Sequence, residues 1–286
     1  MMSMTLGRWV ETWLELYVDP SDLADSTKKC YHRAARAVLR SSLSGILLAE
    51  LSALDVHRWL LSVAKDTPRA AQLDRVMLSR ALKVAGKLRL CPSDIIDPDT
   101  CPKPVHQAAK AVILNGEQLR AYMRAAAASP AAPVLMLCCC GLRRSEARGL
   151  RWEHVDLHAG VIAVAGQRRA QGGELLPLKS SASYRQLELP SSVLDVLRSW
   201  PRSLDGWVCG LSEQRIYTEH RRVIRALNLP PCTLHGLRHS FATYAATQGV
   251  TMKLLQSALG HAHFALTADL YADHLPSLSR VAGSVY

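Results

Sequence analysis

The sequence predicts a mainly α-helical chain with one small antiparallel β-sheet, an α+β fold in two parts. Three observations carry this. Apolar residues recur at helical spacing through the first third of the chain. A proline-rich stretch then interrupts the pattern. Further on, between Val161 and Pro190, the period shortens from that of a helix to that of a strand.

In "TLGRWVETWLELYV", Leu6, Trp9, Val10, Trp13 and Tyr17 fall on one helical stripe. A second helix is expected through "STKKCYHRAARAVLRSSL", with Ser26 as its N-cap. Ser52 and Asp55 have the spacing of a capping box before a third. "PRAAQLDRVMLSRALKVAGKLRL" reads as a fourth, with Pro68 in its first turn. These elements predict a four- to five-helix bundle with basic residues on its exposed faces. "CPSDIIDPDTCPKPV" then holds four prolines in fifteen residues. Proline removes a backbone donor and disfavours helix before it, so the linker region opens near Cys91. The boundaries read as 1–100 for the first part, 101–111 for the linker and 112–286 for the second.

The second part opens with a helix capped near Asn115. "APVLMLCCCGL" reads as a buried helix ended by Gly141, and "RRSEARGLRW" resumes at once. "VIAVAG", "ELLPLK" and "RQLELP" are strand candidates. From Ser191 onward the pattern is helical again. No internal repeat and no low-complexity tract is apparent.

Composition narrows the function. No stretch approaches the roughly 18 apolar residues of a membrane span. The eight cysteines include no C-x-x-C pair, a usage that suits a reducing cytoplasm rather than a disulfide framework. The formal charge is +11, made of net +3 over residues 1–105 and net +8 over 106–286. Such a surplus favours a polyanionic partner.

Several polar groups stand out against apolar surroundings: Arg143 after a glycine turn, Lys179 at a strand edge, His235 and Arg238 opening an apolar helix, His261, and Tyr271 ten residues later. Singly, each has an ordinary reading, such as a helix cap, a surface ion pair or a core side chain. Together they suit phosphoryl transfer. Two arginines can grip the oxygens of a phosphodiester and its transition state. A tyrosine can attack and form a covalent intermediate. Histidine and lysine can move the protons. Composition alone does not select one of the eight tyrosines.

The order of these elements resembles the tyrosine recombinase family, the phage integrases and their relatives. "CGLRRSEARGLRWEHVD" is similar to that family's first-arginine box and implies Arg143 as catalytic, with Glu146 supporting. "LHGLRHSFAT" resembles the second box, implying His235 and Arg238, with His239 as a structural neighbour. "LGHAHFALTADLYADHL" resembles the box that carries the third histidine and the nucleophile, implying His261 and Tyr271. "LPLKSSASYRQLELP" resembles the hairpin that delivers the catalytic lysine, implying Lys179. The other cations there, Arg168, Arg169 and Arg185, would transfer protons poorly. "CCC" stands where aliphatics and a threonine are usual.

The resemblance implies a helical core-DNA-binding domain of SAM-like type, then a catalytic domain, the two clamping duplex DNA. It implies a site-specific DNA recombinase acting through a 3′-phosphotyrosine at core attachment sites, with neither metal nor cofactor. Four protomers would act on two sites, from a monomer or weak dimer when free, in the cytoplasm of a bacterial host. The tail after Tyr271, with Leu278, Val281 and Val285, would dock on a neighbouring protomer. Because the helical part begins almost at Met1, the resemblance is to an arm-less integrase, with a short core site and weaker control of direction. Lys28, Lys29, Arg33 and Arg36 are the candidate DNA contacts. Rivals are a Xer-like resolvase or transposon recombinase, a non-catalytic DNA-binding relative, a type IB topoisomerase-like enzyme, and a zinc protein built on Cys232, His235, His239, His261 and His263.

Overall fold

A computed structural model of the chain describes residues 4–106, 111–168, 173–178 and 180–260. It forms two compact units, Met1–Ala109 and Lys110–Tyr286. No described helix is long and apolar enough to cross a membrane.

In the first unit, α1 (Leu6–Trp13) starts at Thr5, whose hydroxyl accepts from the Arg8 N–H. Leu6, Trp9, Val10 and Trp13 are buried as their spacing predicts. Tyr17 is not on that stripe. Residues Leu14–Val18 form a π-turn, which widens the helix by one residue. Val18 therefore meets the core, and Tyr17 is left 42 % exposed. The second helix, α2 (Asp25–Leu39), starts earlier than expected. Ala24 is its cap, without a side-chain bond, and Ser26 lies inside the first turn. Asp25 supplies the negative charge that the helix start favours. The capping box of α3 (Ala53–Asp66) forms between Ser52 and Asp55. Pro68 opens α4 (Pro68–Lys87). The Trp9 indole donates to the Ala81 carbonyl at 3.0 Å and pins α1 to α4.

The proline-rich stretch is not free of this unit. Ile95 and Cys101 are buried in its core. Arg75 Nε donates to the Cys101 carbonyl (2.9 Å) and Gln72 Nε2 to the Pro104 carbonyl (2.7 Å). The chain is therefore fastened to the first unit as far as Pro104.

The second unit is built around one helix. α5 (Gly116–Ala126) is capped reciprocally by Asn115 and Gln118. Every residue of α6 (Ala132–Cys139) is buried. A helix apolar on all sides must lie inside, and α5, α8 (Ser191–Ser199), α9 (Glu213–Ala226) and α10 (Leu234–Thr247) pack around it. α7 (Arg144–Arg148) follows α6 after one tight turn. The sheet has three antiparallel strands in the order β1 (Val155–Asp156), β2 (Val161–Val164), β3 (Arg185–Glu188). Ile162 pairs with Val155 on one side and with Leu187 on the other. "VIAVAG" and "RQLELP" thus supply strands. "ELLPLK" supplies one bridge, Leu176 to Gln167, since Pro177 has no N–H to continue a ladder. Val155–Asp156, not marked by the sequence pattern, takes the outer place. The chain ends its described part with α11 (Met252–Leu259).

All eight cysteines are free thiols. Cys30, on α2, is exposed; Cys91 and Cys140 are half-buried and the other five are buried. Desolvation raises the buried Cys138 thiol to about 12 and likewise raises Cys139 and Cys232.

The capping box gives a direct check. Ser52→Ala should lower the unfolding free energy by about 1 kcal/mol, read from urea denaturation. An unchanged midpoint would mean that the box contributes nothing.

Candidate active site

The first arginine is placed by a helix stop. Gly141 adopts φ +90° after α6. Its N–H bonds the Cys138 carbonyl (3.2 Å), and the Leu142 N–H reaches back to the Leu137 carbonyl (3.1 Å). This paired closure is the Schellman arrangement, which favours glycine at that position. A Cβ on Gly141 would also meet the Phe241 ring at 2.8 Å. The next turn puts Arg143 at the N-cap of α7, in extended conformation.

Glu146 lies three residues on, with its side chain 2 % exposed. Its carboxylate accepts from the Arg143 backbone N–H (2.9 Å) and from Arg143 Nη1 (2.6 Å). Arg185 Nη2 donates to it at 3.0 Å, and Arg238 Nη1 stands 3.9 Å away. Burial alone would raise this carboxyl. The charge and hydrogen bond of Arg185, with the two bonds from Arg143, outweigh burial and hold it below its ordinary value.

Arg238 is the largest fully buried side chain among the described residues. It donates to the Gly141 carbonyl (2.7 Å) and the Leu259 carbonyl (2.8 Å). Desolvation, with repulsion from Arg143, pushes it down to about 9, so the guanidinium stays charged at neutral pH. A helix normally leaves its last carbonyls to solvent or a cap. At the end of α11 three arginines take them. Arg185 Nε donates to Ala258 (2.6 Å), Arg238 to Leu259 (2.8 Å) and Arg143 Nη2 to Gly260 (3.0 Å). Cations at a helix C-terminus are favoured by its dipole.

His235 and His239 sit one turn apart on α10, their rings edge to face with centroids 4.3 Å apart. Thr233 caps this helix by accepting from the Gly236 N–H at 2.9 Å. The two positions predicted to share a face differ in depth: Arg238 is buried, His235 exposed. Desolvation of the ring, then His239 and the guanidiniums of Arg238, Arg143 and Arg144, push His235 down to about 4. His239 is lowered too, by burial and Arg238, and its buried Nδ1 has no hydrogen-bond partner among the described residues.

Two further networks steady the site. Arg144 bonds the Tyr217 hydroxyl and pairs with Glu213 on α9 (2.7 Å). The buried Tyr122 hydroxyl bonds His220 Nδ1 (2.7 Å), and His220 Nε2 donates to the Cys232 carbonyl (2.8 Å), just ahead of α10. Burial lowers His220, and that keeps this chain neutral.

The structure thus brings together Arg143, Glu146, His235, Arg238 and His239. Lys179, Arg169, His261, His263, Tyr271 and the tail lie outside the described residues. Lys28, Lys29, Arg33 and Arg36 lie on α2 in the other unit. Lys29, Arg33 and Arg36 are exposed, although Arg33 pairs with the buried Asp74 at 3.2 Å. Lys28 is half-buried and donates to the Asp19 carbonyl (2.7 Å). Among the described residues no group of three or more His, Cys, Asp or Glu is placed to hold a metal ion. Sequence reasoning weighed Arg185 only as a proton donor and missed its place beside Glu146. Its signal was available: it alternates with Leu187 and Leu189 on the inward face of β3, where a cation is out of place.

His235 offers a test of the electrostatics. Its folded value lies below its ordinary one, so the unfolded chain takes up that proton first as pH falls. The associated stability is present at neutral pH and lost between about 6.5 and about 4. An NMR titration should find the His235 ring neutral down to pH 5; a midpoint above 6 would show that the guanidiniums do not act on it.

Comparison with known proteins agrees with this architecture. The phage integrase family model matches residues 112–277. An integrase of Streptomyces ambofaciens is 26 % identical over 95 % of this chain and 76 % of its own length. Tyrosine recombinase XerC of Agrobacterium fabrum is 27 % identical over 90 % of this chain and 87 % of its own. Among solved structures, the Tn1549 transposon integrase in complex with circular intermediate DNA superposes with a TM-score of 0.82 at 19 % identity, covering 99 % of both chains. A lambda integrase dimer bound to a core site gives a TM-score of 0.75 at 17 % identity, covering 95 % of this chain and 96 % of the other. On this match and this fold, the chain belongs to the phage integrase family of tyrosine recombinases.

Proposed function

We propose that the protein is a site-specific DNA recombinase that cuts and rejoins DNA at a core attachment site through a 3′-phosphotyrosine. The observation that carries this is the Arg143–Glu146–Arg238 cluster with neutral His235 at its open edge. Two guanidiniums held by a buried carboxylate suit the oxygens of a phosphodiester and the charge that builds on them.

In this reading the Tyr271 hydroxyl attacks the scissile phosphorus. A Tyr–O–P bond forms and the bond to the 5′ oxygen breaks. His235, neutral in the free protein, takes the tyrosine proton, and Lys179 gives one to the departing 5′ oxygen. Arg143, Arg238 and His261 hold the phosphate oxygens. A 5′-hydroxyl from partner DNA then reverses the sequence and frees Tyr271. The energy of the broken bond is kept in the phosphotyrosine. The exposed cations of α2, Lys29, Arg33 and Arg36, with Lys28 beside them, would supply salt-dependent phosphate contacts.

We further propose four protomers acting on two sites, within a bacterial cell. In support, a lambda integrase tetramer bound to a Holliday junction shares the fold, with a TM-score of 0.73. Integrases and XerC proteins match at similar identity. The proposal is therefore of strand-transfer chemistry that a phage integrase, a resolvase or a transposon recombinase would share.

The test uses nicked duplexes tiling the DNA beside the gene. A covalent protein–DNA adduct should form without added metal and vanish in Tyr271→Phe. Tight binding without any adduct would favour a non-catalytic relative, and an adduct persisting in Tyr271→Phe would assign the nucleophile elsewhere. Relaxation of plasmid lacking the site would favour topoisomerase action.

A further inference from the structure

Arg185 joins three pieces of the second unit through one planar group. Its Nε donates to the Ala258 carbonyl at the end of α11 (2.6 Å). Its Nη2 donates to Glu146 on α7 (3.0 Å). Its Nη1 donates to the Ser183 carbonyl (2.9 Å). Ser183 belongs to the short turn Ser181–Ser183, closed by Ser180 Oγ and Ser183 Oγ at 3.0 Å. That turn begins directly after Lys179 in the chain.

The junction is tight. Gly260, at φ +64°, has no side chain, and a Cβ there would lie 3.0 Å from Arg185 Nη1 and 3.1 Å from the Ala182 carbonyl. The Ser181–Ser183 turn, the Arg185 fork and Gly260 at the end of α11 therefore meet closely. With its side chain 6 % exposed and its Nε, Nη1 and Nη2 each donating to a protein acceptor, Arg185 is tied into the scaffold. It acts where hydrogen bonds to charged groups are strong and rigid. A lysine ammonium is a single point charge and cannot hold the same three directions as a fixed plane.

We propose that Arg185 is a positioning residue: it holds the turn Ser181–Ser183, which follows Lys179 in the sequence, against Glu146 and the end of α11, and through that turn governs the delivery of the proton to the leaving 5′ oxygen. This rests on the strand-transferase reading and on Lys179 as its acid. No bond is made or broken at Arg185 itself. The proton still passes from Lys179 to the 5′ oxygen, and the arginine governs only whether the two are in line.

The test compares two duplexes carrying the core site found by the adduct assay. One has the ordinary scissile phosphate. In the other, sulfur replaces the bridging 5′ oxygen. A thiol has a pKa of about 8.5, so a thiolate departs without needing a proton donor. Arg185→Lys should cleave the oxygen duplex roughly 10- to 100-fold more slowly than the parent protein, yet the sulfur duplex at close to the parent rate. DNA binding should be nearly unchanged. Equal slowing on both duplexes would mean a general loss of structure and would overturn the proposal, as would no slowing on either. If Arg185→Lys does not fold, Arg185→Gln, whose amide still reaches part of the same set, is held to the same comparison. No adduct from the parent protein on either duplex would bring down the recombinase reading itself, an outcome distinct from a parent that cleaves and a variant that cleaves equally well.

Discussion

One buried carboxylate among three guanidiniums is the constraint on which the second unit depends. Glu146 cannot be removed from water without partners, and Arg238 and Arg185 cannot either. Their mutual attraction, not burial, decides that the carboxyl stays ionised. The cluster is still net positive, and that surplus adds to desolvation in keeping His235 neutral beside it. Fixed charges of this kind need no reorganisation when negative charge arrives, which is the condition electrostatic catalysis requires.

The scaffold reaches this cluster by a short chain of causes. An all-apolar α6 must be central. Its end is closed by Gly141, whose left-handed conformation turns the chain and offers its carbonyl to Arg238. Two residues on, Arg143 starts α7 and meets Glu146. From the other side, the buried Tyr122–His220 pair holds the Cys232 carbonyl, three residues ahead of His235. Arg143 and His235 are thus carried at helix starts, where backbone N–H groups lack intrahelical partners, while Arg238 and His239 sit one turn further into α10.

Much of this was legible in the sequence, for local reasons. The capping boxes at Ser52 and Asn115, the proline start of α4 and the glycine stop of α6 each depend on residues only a few positions apart. The recombinase boxes were legible because their residues are close in sequence and polar in apolar surroundings. What escaped depended on distant partners or small backbone choices. The π-turn at Leu14–Val18 rotates Tyr17 off the core stripe without changing its spacing. Ser26 lost the cap because the helix began two residues earlier. "ELLPLK" has strand composition, but Pro177 breaks its ladder. Arg185 was weighed only as a proton donor, a role arginine fills badly. Its partners Ala258 and Glu146 lie 73 and 39 residues away, beyond the reach of any local pattern.

The distribution of thiols has a practical side. Five of the eight cysteines are buried and two are half-buried. Among the buried ones, Cys138, Cys139 and Cys232 are held in their protonated, unreactive form. Cys30 alone is exposed, and it lies on α2 between the cations Lys29 and Arg33. Nature has left the chain close to what a spectroscopist would otherwise engineer: one exposed thiol as attachment point for a fluorophore or spin label, beside two half-buried ones. It lies on the basic face proposed to track the phosphate backbone, so the unmutated protein could report on its own engagement of a duplex.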